Sequence, residues 1–178
     1  MAMNFHELTL TVRAAMIAAL EDEEASGRPY QSKIMSPQGL EAYSSIIRAS
    51  INSGTEVTLA DDLADPRFWK EKNARGATVN PMAAAAALAL TEFNTWYVAG
   101  LAAVLQNEGA THCEVYRADD PRGDRASCSA HEEQPYPLAD VVAGHRIGYW
   151  PRNGTPVKGA FTVPAITNCH HTIRRLTA

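Results

Sequence analysis

NPMAAAAALALTEFNTWYVAGLAAVLQN, residues 80–107, has the marks of one long helix. Asn80 is a good N-cap. Pro81 suits the first helical position, where its missing N–H would be unpaired anyway, and Gly109 supplies the stop. Phe93, Trp96, Tyr97, Gly100, Leu101, Val104 and Leu105 recur at three- and four-residue spacings, which predicts an apolar stripe about 100° wide that other elements must cover. The Ala-rich first half, Ala83 to Ala87, has high helix propensity and little bulk, so neighbouring backbones are expected to pack closely there.

The elements that cover this helix are sought on either side of it. Upstream, Leu8, Val12, Ala15, Met16, Ala19 and Leu20 share a face, predicting a helix from Phe5 to about Glu24 that ends in the acidic run Glu21, Asp22, Glu23, Glu24. Gly27 and Pro29 break the chain, with extended structure expected from Tyr30 to Met35. Ser36-Pro37 opens a further helix through Leu40, Tyr43, Ile47 and Ile51, closed by Gly54, and a short helix is expected around Thr58 to Leu63. Lys70 to Thr78 is polar, aperiodic and locally basic through Lys70, Lys72 and Arg75, which reads as a flexible loop.

Downstream, His112 to Arg117 alternates as a half-buried strand does. Beyond Ala118, Pro121, Pro135, Pro137, Pro151, Pro156 and Pro164 forbid long elements and leave short strands near Ile147 to Trp150, Phe161 to Val163 and Thr172 to Leu176. The predicted fold class is α+β: amino-terminal helices packed on one long central helix, followed by a small Pro-rich β module. The boundary divides a helical segment, residues 1–78, from the central helix and β module, residues 79–178.

The totals narrow the function. A net charge of -4 argues against a protein living by phosphate contacts, so sequence-specific nucleic-acid binding is not expected. Thr91, Glu92, Asn94 and Thr95 interrupt the longest apolar run, so no membrane span is expected either. The amino terminus lacks the basic start and continuous apolar run of a signal peptide, which predicts folding in the cytoplasm.

No nucleophile–base motif, metalloprotease helix, phosphate loop or dinucleotide fingerprint occurs. Glu92 with Asp119, Asp120 and Asp124 could form a carboxylate cluster for a cation, although turn chemistry explains those aspartates more simply. Cys113, beside Val115, reads as a small buried side chain. The chemistry-bearing set is Cys128 and His131 as C-x-x-H with Cys169 and His171 as C-x-H, two close pairs such as a tetrahedral zinc site needs, with His170 competing for the fourth place. A Cys128–Cys169 disulfide would serve as a staple instead, and scattered thiols and imidazoles remain the plain alternative.

The order of these motifs carries a resemblance. Thr91-Glu92-Phe93-Asn94 and Gly100 on the helix precede Glu108-Gly109 and a strand. Asp124-Arg125-Ala126-Ser127-Cys128-Ser129-Ala130-His131, Tyr136-Pro137-Leu138 and Pro164-Ala165-Ile166-Thr167-Asn168-Cys169-His170-His171 follow. Over residues 80–178 this resembles the carboxy-terminal module of the phage Mu F-like minor head proteins. Cys128 and Cys169 match family cysteines, whereas His131 and His171 stand where cysteine is more usual and Ile166-Thr167 replaces His-Pro.

The resemblance implies a non-enzymatic structural protein of a tailed-phage or prophage particle. It would be a head–tail connector or adaptor at the portal vertex, assembled in the host cytoplasm and incorporated in the virion. Its expected partners are the portal protein, neighbouring head–tail proteins and copies of itself in a ring. The acidic residues Glu21, Glu23 and Glu24 and the basic Lys70, Lys72 and Arg75 are then opposite-sign interface candidates on adjacent subunits. The competing reading is a small zinc-containing DNA-binding or DNA-processing protein.

Overall fold

The computed structural model describes residues 2–27, 29–118, 130–147, 159–167 and 169–176. Within them the chain forms α1 (Leu10–Ala25), α2 (Pro37–Ser53), α3 (Glu56–Leu63), a 3-10 turn (Pro66–Phe68) and α4 (Pro81–Asn107). Then come β1 (His112–Arg117), β2 (Gln134–Pro137), α5 (Leu138–Ala143) and β3 (His171–Arg175). The class is α+β, with helices gathered on the long α4 and an antiparallel three-stranded sheet in the order β2-β1-β3.

Local chemistry sets the ends of α4. The Asn80 side chain accepts from Ala83 N–H at 3.1 Å, Pro81 occupies the first turn, and Gly109 takes φ 82° just past the end. Every residue from Thr91 to Val98 is buried, so the middle of the helix is covered all round rather than along one stripe. Its length and mean hydropathy of 1.3 are those of a membrane span despite Thr91, Glu92, Asn94 and Thr95, but 78% of that window lies inside the protein, as in a core helix.

α1 and α3 make the most extensive contacts with α4. α1 comes close to α4 at Gly100, where a Cβ would stand 2.6 Å from Met16 Cγ and 2.8 Å from Met16 N. Within the Ala-rich run Ala85 is buried and Ala83 and Ala86 are exposed, so that run is covered on one side only.

α1 begins five residues later than its periodicity suggests. Thr9 caps it by accepting from Val12 N–H, and the residues before it cover the sheet and α4 instead. Asn4 N–H donates to Ala118 O at 2.7 Å, Phe5 packs on Phe93 and Tyr97 with ring centroids 5.3 and 4.6 Å away, and His6 stacks on Tyr116. This cover is why β1 is buried at four consecutive residues, Cys113 to Tyr116, rather than on alternate ones.

α2 is capped by Ser36 and Pro37, and α3 by a Thr55–Thr58 capping box. Lys70 to Thr78 is an ordered hairpin rather than a flexible loop. Lys72 bridges Thr78, and the Asn73 side chain accepts from the N–H groups of Arg75 and Ala77.

In the sheet, Val115 lies opposite both Gln134 and Ile173, and Arg117 opposite His171. β2 was not expected, because Pro135 and Pro137 read as breakers. As an edge strand it tolerates them, since N–H groups on the open side have no ladder partner to lose. No strand forms at Phe161 to Val163, Ile147 lies in a turn, and residues 148–150 fall outside the described residues. The last strand runs His171–Arg175, one residue earlier than read. One hydrophobic cluster extends from Met3 to Ile173, so packing is continuous across the boundary between residues 78 and 79.

Candidate functional site

Two polar clusters sit where the helices meet the carboxy-terminal module. The first is centred on Arg146, whose side chain is fully buried. Its Nη1 and Nη2 donate to the two carboxylate oxygens of Glu92 at 2.6 and 2.7 Å, and its Nε donates to Glu23 Oε2 at 2.8 Å. Tyr43 Oη donates to Glu92 Oε2 at 2.7 Å, Tyr30 N–H to Glu23 Oε1 at 3.0 Å, and His145 Nε2 lies 3.2 Å from Glu23 Oε2. The guanidinium is sandwiched between Tyr30 and Trp96, 4.8 Å from each ring centroid.

A forked guanidinium matches two carboxylates in this way because its donors are fixed in one plane. Burial alone would raise the Glu23 carboxyl. The His145 hydrogen bond, the Arg146 charge and the Tyr30 N–H outweigh it and hold the group at about 2. Burial and the nearby Glu92 push the Tyr30 hydroxyl up to about 12.

This arrangement corrects one interface candidate. Glu23 is 2% exposed and committed to Arg146 and His145, so it faces no neighbouring subunit. Its neighbours in the acidic run are turned toward α2, Glu21 and Glu24 pairing with Arg48 at 2.8 and 2.9 Å. On the basic side, Lys70, Lys72 and Arg75 are exposed, and Lys70 Nζ donates to Lys33 O at 2.8 Å. Asp119, Asp120 and Asp124, proposed partners of Glu92, lie outside the described residues, and Glu92 is 0% exposed against Arg146 and Tyr43.

The second cluster gathers Arg117 from β1, Glu132, Cys169 and His171 at the start of β3. Cys169 Sγ and His171 Nδ1 face each other at 3.9 Å, and His171 Nε2 lies 2.7 Å from Glu132 Oε1. Arg117 holds the same Glu132 oxygen through Nε at 2.7 Å and Nη2 at 2.6 Å. Burial would raise the Cys169 thiol, but its hydrogen bonds with His171 and the backbone of Ala165 bring it below the usual thiol value. Cys169 in turn raises His171, against its burial and with help from Glu132.

The expected four-residue set is thus assembled only in part. Cys169 and His171 come together, and Cys169 carries a free thiol. Cys128 lies outside the described residues. His131 is exposed and engaged elsewhere, hydrogen-bonded to Tyr136 Oη and packed on Phe161 at 5.3 Å between ring centroids. Among the described residues no three His, Cys, Asp or Glu side chains are grouped to hold a metal ion. The donors present do suit one in part. Cys169 and His171 are two of the four donors that a tetrahedral zinc site needs. Cys113 is fully buried, and its thiol is pushed up to about 12 by that burial, as befits a packing residue.

Arg146 and Glu132 were not singled out by spacing, for neither lies in a motif. One signal was present: a carboxylate, Glu92, in the middle of an apolar helix requires a buried cation. Between the clusters, Ala87, Leu88 and Thr91 of α4 line a cleft of about 300 Å³ with Tyr30 and residues 165–167. No protein-family model, curated protein or solved structure matches the chain.

Proposed function

We propose that the protein is a structural component of a tailed-phage or prophage particle, a head–tail connector or adaptor associated with the portal vertex, which acts by interaction and not by catalysis. The observation that carries this reading is the meeting of its motif segments. Asn94, from the helix motif, donates through Nδ2 to the carbonyl of His171, from the last motif, at 2.8 Å. Tyr136-Pro137-Leu138 forms the junction of β2 and α5, with Tyr136 opposite Cys113. Residues that resemble the Mu F-like module along the chain therefore also support one another in space.

In this role α4 and its helices provide a rigid body, and identical neighbours meet through heterologous contacts that close a ring. The exposed basic hairpin with Lys70, Lys72 and Arg75 and the acidic end of α1, now Glu21 and Glu24, are the opposite-sign surfaces for that contact. Reversing all three cations to Glu is expected to abolish assembly while leaving the isolated subunit folded.

The direct test is removal of the gene from the inducible phage or prophage. Electron microscopy of the lysate is expected to show DNA-filled heads and free tails that fail to join, with joining restored by the protein supplied in trans. Normal, infectious particles in its absence would overturn the proposal.

A further inference from the structure

We infer that α1 of one copy of the chain packs antiparallel on the first half of α4 of a second copy, with Leu10 as its anchor. This contact, which rests on the ring of identical subunits proposed above, joins one neighbour to the next. Leu10 and Met82 are 84% and 73% exposed, the two most exposed large apolar side chains among the described residues. Each belongs to an apolar face. On α1, Leu10, Ala14, Ile17 and Ala18 recur at three- and four-residue spacings on the side away from buried Val12 and Met16, and the stripe ends at Glu21. On α4, Met82, Ala83 and Ala86 are exposed, and residues 80–91 carry no charged side chain.

The two faces do not meet within one chain. α1 already lies on the second half of α4, where Met16 fills the space above Gly100, so its outer stripe points away from that helix. Between copies they are complementary in shape when the helices run antiparallel. Leu10 and Ala18 are eight residues apart, about 12 Å along a helix, and so are Met82 and Leu90. With Met82 set against Ala14 and Ala18, Leu10 reaches Ala87 and the cleft of about 300 Å³ that α4 forms with Tyr30 and residues 165–167. Alanines on both helices admit a short separation between the axes, about 8 Å.

Charge sets the direction. At the end of α1, Glu21, Asp22 and Glu24 outnumber Arg48 by two, and in the hairpin before α4, Lys70, Lys72 and Arg75 outnumber Glu71 by two. Antiparallel packing brings these two ends together. The last turn of α1 has no basic residue and the first turn of α4 no acidic one, so each helix end finds in the neighbour the charge its dipole lacks. Anchor and cleft, anions and cations all occur on this one chain, which identifies the occupant as a second copy.

The test is sedimentation velocity of the purified full chain over a concentration series, with thermal melting as the folding control. The wild-type protein is expected to associate beyond a dimer. Leu10→Asp and Met82→Asp should each weaken association about 10-fold or more while melting as wild type. Leu10→Gln and Met82→Gln serve where an Asp variant melts lower. The two substitutions spoil opposite sides of one contact, so an equal mixture keeps one good contact per pair and should form a 1:1 dimer that grows no further. Salt should weaken association, because it screens the two charged ends. The contact is overturned if the wild-type protein stays monomeric throughout, if a variant at either position associates as wild type, or if the mixture stays monomeric. A monomeric wild type whose removal still blocks head–tail joining fails the contact alone. A chain that associates in this pattern but leaves particles normal when removed fails the virion reading alone.

Discussion

The Arg146 cluster and the Cys169–His171 cluster both carry charged or titratable groups into the interior, but they are held with different strength. Around Arg146, the bidentate Glu92 pairing, Glu23, Tyr43 and two aromatic faces enclose the cation on every side. Around His171, the ring is gripped from one side by Glu132 and meets a thiol across a gap of 3.9 Å on the other. A closed ionic cluster has nothing left to offer a ligand and works as a fixture, here clamping α1 and α4 to the turn after α5. The Cys169–His171 pair is a softer contact, a thiol and an imidazole hydrogen-bonded to each other and braced from one side by Glu132. The difference separates structural polarity from candidate chemistry without any appeal to motif.

The sharpest way to break this comparison is to remove the cation. Arg146→Met would leave Glu92 and Glu23 buried without their partner, a loss of about 3–5 kcal/mol. Denaturant unfolding should show it as a lowered midpoint, and a loss under about 1 kcal/mol would mean the cluster is not a fixture. Next in size is its acid sensitivity. Glu23 is depressed from 4.5 to about 2 in the folded chain, so its contribution is complete above the unfolded value and disappears as pH falls from about 4.5 to about 2. The shift corresponds to roughly 3 kcal/mol, and Glu23→Gln should flatten the stability profile in that window.

A smaller effect, about 1–3 kcal/mol, is expected for Gly100→Ala, because the new methyl would meet Met16 and the α1 backbone. It tests whether α1 is clamped hard against α4; an unchanged unfolding midpoint would show that the helices can separate freely. Smallest of all is Arg48→Ala. Arg48 pairs with Glu21 and Glu24 near the surface, with side-chain exposures of 32%, 59% and 30%, so its loss should cost under about 1 kcal/mol.

How much of this was legible in the sequence follows from where each signal resides. The ends of α4 and α2 were readable because Asn80-Pro81, Ser36-Pro37, Gly54 and Gly109 act within their own turns. The start of α1 was not, because the face shared by Leu8 and Val12 hid the use of residues 4–7 as a cover for β1 and α4. β2 escaped because the cost of Pro135 and Pro137 depends on whether a strand is central or at an edge, which only the sheet order decides.

At the candidate site, Cys169 and His171 were legible because they stand close in sequence as C-x-H, a spacing that lets two side chains meet. Glu132 was not, because it reaches His171 across 39 residues of sequence. Glu92 announced that it needed a cation, but nothing local told Arg146 from the other arginines. The acidic run at the end of α1 looked uniform in sequence, yet Glu23 faces the core while Glu21 and Glu24 pair with Arg48.

The functional account rests on the chain being a repeated part of an assembled particle, and peptide mass spectrometry of DNA-filled particles banded on a density gradient tests that most directly. The account predicts peptides spanning residues 80–117 in several copies per particle, as a closed ring requires. Absence from the particles, with the protein left soluble in the lysate, would contradict it and turn attention to the zinc-containing DNA-binding reading.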